Sequence, residues 1–196
     1  MTIAPAGLAR TKPVLVLIFF ALILLSASLA LAQEGSRIDV FGGYSYERFD
    51  ARPIGYASDI NMNGWNAAVT GNINLKWAVT LDGSGHYGRE LTNYNYLIGP
   101  QYSFRRDKSR FFVHGLFGKA DNEVNVTAKS LNDFKSVGRS LGGGGGFDYD
   151  WSPRFSIRVF QADFMHTDTY SKGQNNIRVS AGLVVHFGHI GHRRKL

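Results

Sequence analysis

The chain has no cysteine among its 196 residues. That absence excludes a disulfide frame, a thiolate metal cage and a cysteine-borne lipid anchor. Past residue 32 there is no run of 18 apolar residues, so no helix is expected to cross a membrane in the body of the chain. Leu, Glu and Lys, the staples of helical proteins, are sparse there. What the chain does have is 23 Gly, 14 Phe and 9 Tyr. Aromatic and β-branched side chains fit pleated strands, and glycine interrupts helices. Composition therefore predicts an all-β fold, and residues 33–196 suit a single domain.

The first residues stand apart. Arg10 and Lys12 precede an apolar run over residues 14–25, and small residues follow, ending Ala30-Leu31-Ala32. A basic start, an apolar stretch and an A-x-A-like ending make an export signal. Cleavage is expected between Ala32 and Gln33.

The rest of the chain alternates. In residues 177–187, Ile177, Val179, Ala181, Leu183, Val185 and Phe187 form one apolar register, and Arg178, Ser180, Gly182, Val184 and His186 form the other. Strict period two over that length is a strand with one greasy and one mostly polar face. A tilted strand crosses a bilayer in roughly 9–11 residues. Seven more such stretches are expected at about residues 37–49, 63–73, 77–87, 94–104, 110 to 118 or beyond, 137–149 and 155–165. Pro100 cannot donate to a ladder, so a bulge or a donor-free position is expected there. In 155–165 strict alternation would turn Gln161 and Asp163 to the apolar side, so a bulge near Phe160 is expected to turn Ala162 and Phe164 there instead.

Short connections follow strands two, four and six, and long ones follow one, five and seven, the last over residues 166–175. Eight strands with short turns at one end and longer loops at the other predict an eight-stranded antiparallel up-and-down transmembrane β-barrel. The expected organisation is a signal peptide over 1–32, a barrel over 33–188 and a basic tail over 189–196. Outward aromatics sort into two groups. Trp77, Tyr102, Phe104, Phe111, Phe147, Tyr149, Trp151, Phe155 and Phe187 lie towards the short turns, and Tyr44, Tyr46, Trp65, Tyr87 and Tyr94 towards the loops. Two aromatic belts argue for a membrane and against a soluble lipocalin-like barrel, whose apolar face points inward.

The segments Asp39-Val40-Phe41-Gly42-Gly43-Tyr44-Ser45-Tyr46, Tyr96-Leu97-Ile98-Gly99-Pro100-Gln101-Tyr102-Ser103-Phe104-Arg105 and the closing run from Asn176 to Gly188 carry a family resemblance. They resemble the eight-stranded outer-membrane β-barrel family that includes the OmpA transmembrane domain, OmpX and OmpW-like proteins. The resemblance implies a bacterial outer-membrane location, and as partners outer-membrane lipid, lipopolysaccharide and the barrel assembly machinery. Members commonly finish on an aromatic residue, whereas Phe187 is followed here by residues 188–196. No peptidoglycan-binding domain is expected after the barrel.

No site of chemistry is expected. Asp39, Glu47, Asp82, His86, His114, Asp148, Arg158, Arg178 and His186 point inward, where an eight-stranded barrel is just filled by side chains. They read as an ion-pair network plugging the lumen. The glycine run 142–146 lacks the G-K-[ST] ending of a phosphate loop and reads as relief from crowding or a bend. His186, His189 and His192 recur every third residue, but in a basic, glycine-containing tail they make no metal site. His166, Asp168 and Ser171 fit a lipid A deacylase triad poorly, because Ser171 is five residues from the histidine. The expected function is a non-enzymatic, cofactor-free monomer with a structural, surface-display or adhesion role and no nucleic-acid partner. The alternatives are a barrel that binds a lipid or small hydrophobic solute, or a lipid A-modifying enzyme. The formal charge of +7 concentrates at the short-turn end, where Lys76, Arg105, Arg106, Lys108, Arg110, Arg154 and Arg193 to Lys195 outnumber Asp107 and Asp150.

Overall fold

The computed structural model describes residues 35–89, 91–124, 135–169 and 172–190. The expected export signal, Gln33 and tail residues 191–196 lie outside them. Eight strands run in chain order: β1 (Ile38–Phe49), β2 (Ile60–Asn72), β3 (Trp77–Tyr87), β4 (Leu91–Arg106), β5 (Ser109–Val124), β6 (Lys135–Ser152), β7 (Phe155–Thr169) and β8 (Lys172–Phe187). Each pairs antiparallel with the next, and β8 returns to β1 to close the barrel. The seam runs from Ile38 opposite Phe187 to Arg48 opposite Ile177. Closure leaves no unpaired edge, which is what a sheet in lipid requires. Among the described residues no helix is long and apolar enough to cross a membrane.

The period-two pattern decides which way each side chain points. Leu81, Val113, Leu141 and Leu183 are each more than half exposed on the outer wall, while Asp82, Arg110, Ser140 and Arg178 are buried inside. The barrel thus inverts the usual soluble arrangement, as the alternation requires for a lipid-facing wall. At the short-turn end Trp77 packs edge-on to Tyr102 at 4.8 Å, Tyr102 to Phe104 at 4.7 Å, and Phe111 beside Phe147 at 4.7 Å. At the loop end Tyr87 meets Tyr94 at 6.0 Å, and Trp65 Nε1 donates to the Tyr87 hydroxyl at 3.3 Å. Both aromatic groups stand where the sequence puts them.

The expected bulge in β7 is present. Phe147 pairs with Phe160 but Asp148 with Arg158, and the β8 register shifts between Arg158 and Gln161. Val159 and Phe160 both face out, Gln161 and Asp163 are buried, and Ala162 and Phe164 face out. Pro100 makes no bulge. The β4–β5 ladder skips Gly99 and Pro100 and resumes in the same register, from Ile98 opposite Phe117 to Gln101 opposite His114. Of the two alternatives, proline simply takes a place where the ladder does without a donor.

One expectation about connections is corrected. The long loop over 166–175 is instead strand: β7 reaches Thr169 and β8 begins at Lys172. β5 runs past Gly118 to Val124, and β6 starts at Lys135. The connection after β1 is the long one expected, and holds a short 3-10 turn at Arg52–Ile54, closed by Gly55 in the left-handed region (φ 103°). Beyond the lipid the outward face is polar, and the inward residues Thr167, Thr169, Gln174 and Asn176 are buried but polar too, so the apolar alternation fades although the pairing does not.

Candidate functional site

Inward positions on all eight strands converge in the lumen, and their side chains form tiers. In the tier nearest the short turns, Arg110 on β5 reaches across to β1, donating Nη1 to Asp39 Oδ2 at 2.5 Å. Its Nη2 and Nε donate to Asp148 Oδ2 on β6 at 2.6 and 3.0 Å. Arg158 donates Nε to Asp148 Oδ1 at 2.8 Å, and its guanidinium lies 4.3 Å from the ring centres of both Phe41 and Phe112. Asp39 also accepts from Ser36 and Asn72 and faces His186 Nδ1 at 2.6 Å.

The middle tier is built on Arg178, which is fully buried. It donates to Asp82 Oδ1 at 2.7 Å and to Ser84 Oγ at 3.0 Å, and through Nε and Nη2 to Asp163 Oδ2 at 2.9 and 2.8 Å. Asp163 also faces His114 Nε2 at 2.7 Å, and Asp82 accepts from Asn66 at 2.9 Å. Above it, Glu47 accepts from Asn93 Nδ2 at 2.9 and 3.0 Å, and His86 Nδ1 lies 2.7 Å away. His86 Nε2 contacts Ser45 Oγ at 2.8 Å, which in turn meets Ser180 Oγ at 2.9 Å. Each buried charge has an opposite charge or several donors, without which its burial would be prohibitive.

Where β1, β2 and β4 meet, the outer mouth is apolar. Phe49, Ala51, Met62 and Leu91 are fully buried there, with Ile54, Tyr56 and Ile60 packed against them. The connection after β1 thus folds over the lumen. Arg48 and Arg52 tie it down through Asp59, with Arg52 also reaching Asp50. Those carboxylates hold the Arg52 guanidinium above its ordinary range, the hydrogen bond to Asp50 first among the causes.

Every residue of the expected inward set lies inside. Arg110 corrects one assignment. The sequence puts it among the basic turns, yet it is 1% exposed and spans the lumen. Its alternation with Phe112 and His114 carries the signal. Asp163, missing from that set, is a second central partner. Lys76, Arg106 and Lys108 do sit exposed at the short-turn rim.

The glycine run matches its structural reading. A Cβ at Gly144 would fall on Asp163 Oδ1, and one at Gly146 would lie 2.7 Å from the Phe112 ring. The residue-166 group faces the outer wall of β7: His166 Nε2 is 3.4 Å from Asp168 Oδ1, and Nδ1 is 2.8 Å from Asn175 Oδ1. Ser171 lies outside the described residues, as does His192. Among the described residues no group of three or more His, Cys, Asp or Glu side chains is arranged to hold a metal ion.

Residues 17–187 match the family described as the outer membrane protein beta-barrel domain. No functionally curated protein matches the sequence. Among solved structures the chain is similar to Neisserial surface protein A, with 14% identity, a TM-score of 0.63, and 79% of this chain and 100% of that one covered. It is similar to Ail, the attachment invasion locus protein of Yersinia pestis, crystallised with the heparin analogue sucrose octasulfate (19% identity, TM-score 0.56, coverage 77% and 99%). OprG from Pseudomonas aeruginosa is a third (13%, 0.54, 81% and 99%).

Proposed function

Since the chain belongs to the outer membrane protein β-barrel family, and so resides in the bacterial outer membrane, we propose that it is a monomeric, non-enzymatic barrel with a structural or surface-display role whose lumen is closed to solutes. The observation that carries closure is the pair of arginines that cross the lumen. Arg110 joins β5 to β1 and β6, and Arg178 joins β8 to β3 and β7. A solute would have to break buried ion pairs to pass, each costing about 3–5 kcal/mol when one partner is lost. Lipopolysaccharide and other outer-membrane lipid then surround the wall, and the barrel assembly machinery inserts it.

The surface-display part rests on strand length. β5 and β6 have 16 and 18 residues, against roughly 9–11 needed to span. The excess stands beyond the apolar band on the loop side and offers a paired wall to the outside. The attachment role printed for Ail gives that wall an adhesion-type function to test.

The test is conductance in planar bilayers, after a mobility shift on boiling has established folding. The wild-type protein is expected to give no steady ohmic current. Stable single-channel steps that disappear in Arg178→Met would overturn the closed-lumen reading. For display, binding of the folded protein to host-cell surfaces, lost when the β5–β6 wall is shortened, is the expected result.

A further inference from the structure

At the short-turn mouth the inward register ends on cations. Arg37, Lys76, Lys108 and Arg154 immediately precede β1, β3, β5 and β7. Each continues a ladder past the end of its strand. The Arg37 carbonyl accepts from Asn72 N, that of Lys76 from Ser103 N, that of Lys108 from Asp150 N and that of Arg154 from His186 N. All four therefore stand opposite inward residues of a neighbouring strand, and residues directly opposite share a face. Arg105, near the end of β4, adds a fifth cation to the ring. Arg37, Lys76 and Lys108 are exposed, and Arg105 and Arg154 are half-buried.

Arg105 is the member that the fold leaves unsatisfied. It stands directly opposite Arg110 in the β4–β5 register, and like charges so placed repel. Its Nε is shut off from solvent and has no hydrogen-bond partner. Among the described residues no ion pair holds its head group. Asp39, Asp148 and Asp150 attract it only from a distance, and all three are engaged. Asp39 and Asp148 hold Arg110, Asp148 also holds Arg158, and Asp150 accepts from Ser156. The tier above the mouth thus sets two arginines against two aspartates and has no charge to spare. In the ring itself five cations face two carboxylates, Asp150 and Asp107, the latter in the same turn as Lys108. A charged donor shut off from water without an acceptor is costly, and an anion in the mouth removes that cost.

We infer that the short-turn mouth is a binding site for a phosphate group, with Arg105 at its centre. The excess of positive charge over the two carboxylates suits a phosphate dianion better than a single carboxylate. The Arg105 guanidinium supplies a planar fork for two phosphate oxygens, and the lysines supply point charges. Rings of Arg and Lys select anions and phosphate at the mouths of pores. Here the tier of Arg110, Asp39 and Asp148 closes the floor, so the ring is a cup and not an entrance. Headgroups of the surrounding phospholipid are the wrong source, because the ring lies on the inward register, away from the lipid-facing wall. The phosphate is therefore one in solution, free or carried by a soluble molecule, on the periplasmic side that short turns face.

The experiment uses the full folded protein in neutral detergent at low salt, with inorganic phosphate as the probe. Titration calorimetry gives the affinity, and urea unfolding followed by tryptophan fluorescence gives the stabilisation that binding confers. Wild type is expected to bind phosphate saturably, at least roughly tenfold tighter than acetate, and to unfold at higher urea as phosphate rises. Arg105→Gln should weaken phosphate binding at least roughly tenfold, as the loss of a charged hydrogen-bonding group implies. Because Arg105 has no partner to lose, that variant should keep the boiling shift and, without phosphate, unfold at no lower urea than wild type. Lys76→Gln with Lys108→Gln, both at exposed turn positions, leaves the lumen untouched and should also weaken binding. Lys119→Gln, at the opposite end, should bind as wild type does, and phosphatidylglycerol added to the micelles should not displace phosphate. Failure of wild type to bind saturably, or acetate binding as well as phosphate, would overturn the site. So would unchanged affinity in either mouth variant, an equal loss in Lys119→Gln, or displacement by phosphatidylglycerol.

Discussion

Arg158 donates Nη1 to the Oε1 of Gln161 at 2.6 Å, three residues on along the same strand. In a regular strand those two side chains would point to opposite faces. They meet because Val159 and Phe160 both face outward between them. Gln161 then donates Nε2 to Asp163 Oδ2 at 2.8 Å. The bulge thus joins the tier of Arg110, Asp148 and Arg158 to the tier of Asp163, Arg178 and Asp82, and one continuous network runs up the lumen.

Deleting a residue from the bulge should be tolerated where the same deletion elsewhere is not. Without Phe160, Arg158 still points in, Val159 out and Gln161 in, so both faces keep their chemistry. Without Leu81, every later residue of β3 turns to the wrong face. The Phe160 deletion is expected to keep the boiling shift on gels, and the Leu81 deletion to lose it. Loss of the shift in both would mean that the bulge is needed for curvature and is not merely an accommodated insertion.

Adjacent glycines in β6 should differ sharply. A Cβ on Gly143 meets nothing within 4 Å, whereas on Gly144 it collides with the Asp163 carboxylate and the Ala162 carbonyl. Gly144→Ala is expected to lower stability by about 1–3 kcal/mol through overpacking. Gly143→Ala should stay within about 0.5 kcal/mol. Urea unfolding in lipid vesicles, followed by tryptophan fluorescence, separates the two.

The outer wall should resist charge according to depth. Leu183, 53% exposed, sits four residues above Phe187 on β8, near the middle of the apolar band. Leu183→Arg is expected to cost about 2–4 kcal/mol, and Ile38→Arg at the short-turn end about 0–1 kcal/mol. Equal costs in vesicle unfolding would contradict a wall that faces hydrocarbon at Leu183 and headgroups at Ile38.

Legibility in the sequence followed the solvent. Inside the band the two faces meet opposite environments, so alternation marks strand, face and even the β7 bulge, since Gln161 and Asp163 could not both face lipid. Beyond the band the outer face meets water, and the inner face, with Thr167, Gln174 and Asn176, is buried but polar. His166, Asp168, Gly173 and Asn175 then look like loop, although they pair in register across β7 and β8. The lumen was legible as a set of inward polar residues but not as pairs, because which acid meets which base depends on tilt and closure. Arg110 was misread for a local reason: it follows a turn closely enough to resemble a rim charge, while its alternation with Phe112 and His114 sends it inward.

The seam between β1 and β8 has a kinetic consequence. It joins the first strand to the last, with Ile38 opposite Phe187 across nearly the whole described chain. Contacts so distant in sequence form slowly, because the entropy of closing the intervening chain is lost before any pairing offsets it. Until residue 172 and those after it are in place, β1 has no partner on one side and presents a bare row of hydrogen-bonding groups. The time between export and insertion is therefore the period of greatest aggregation risk, and a mutation that crowds the seam, such as Gly182→Val against the Gly42 carbonyl, should lengthen that period as well as lower the stability of the finished barrel.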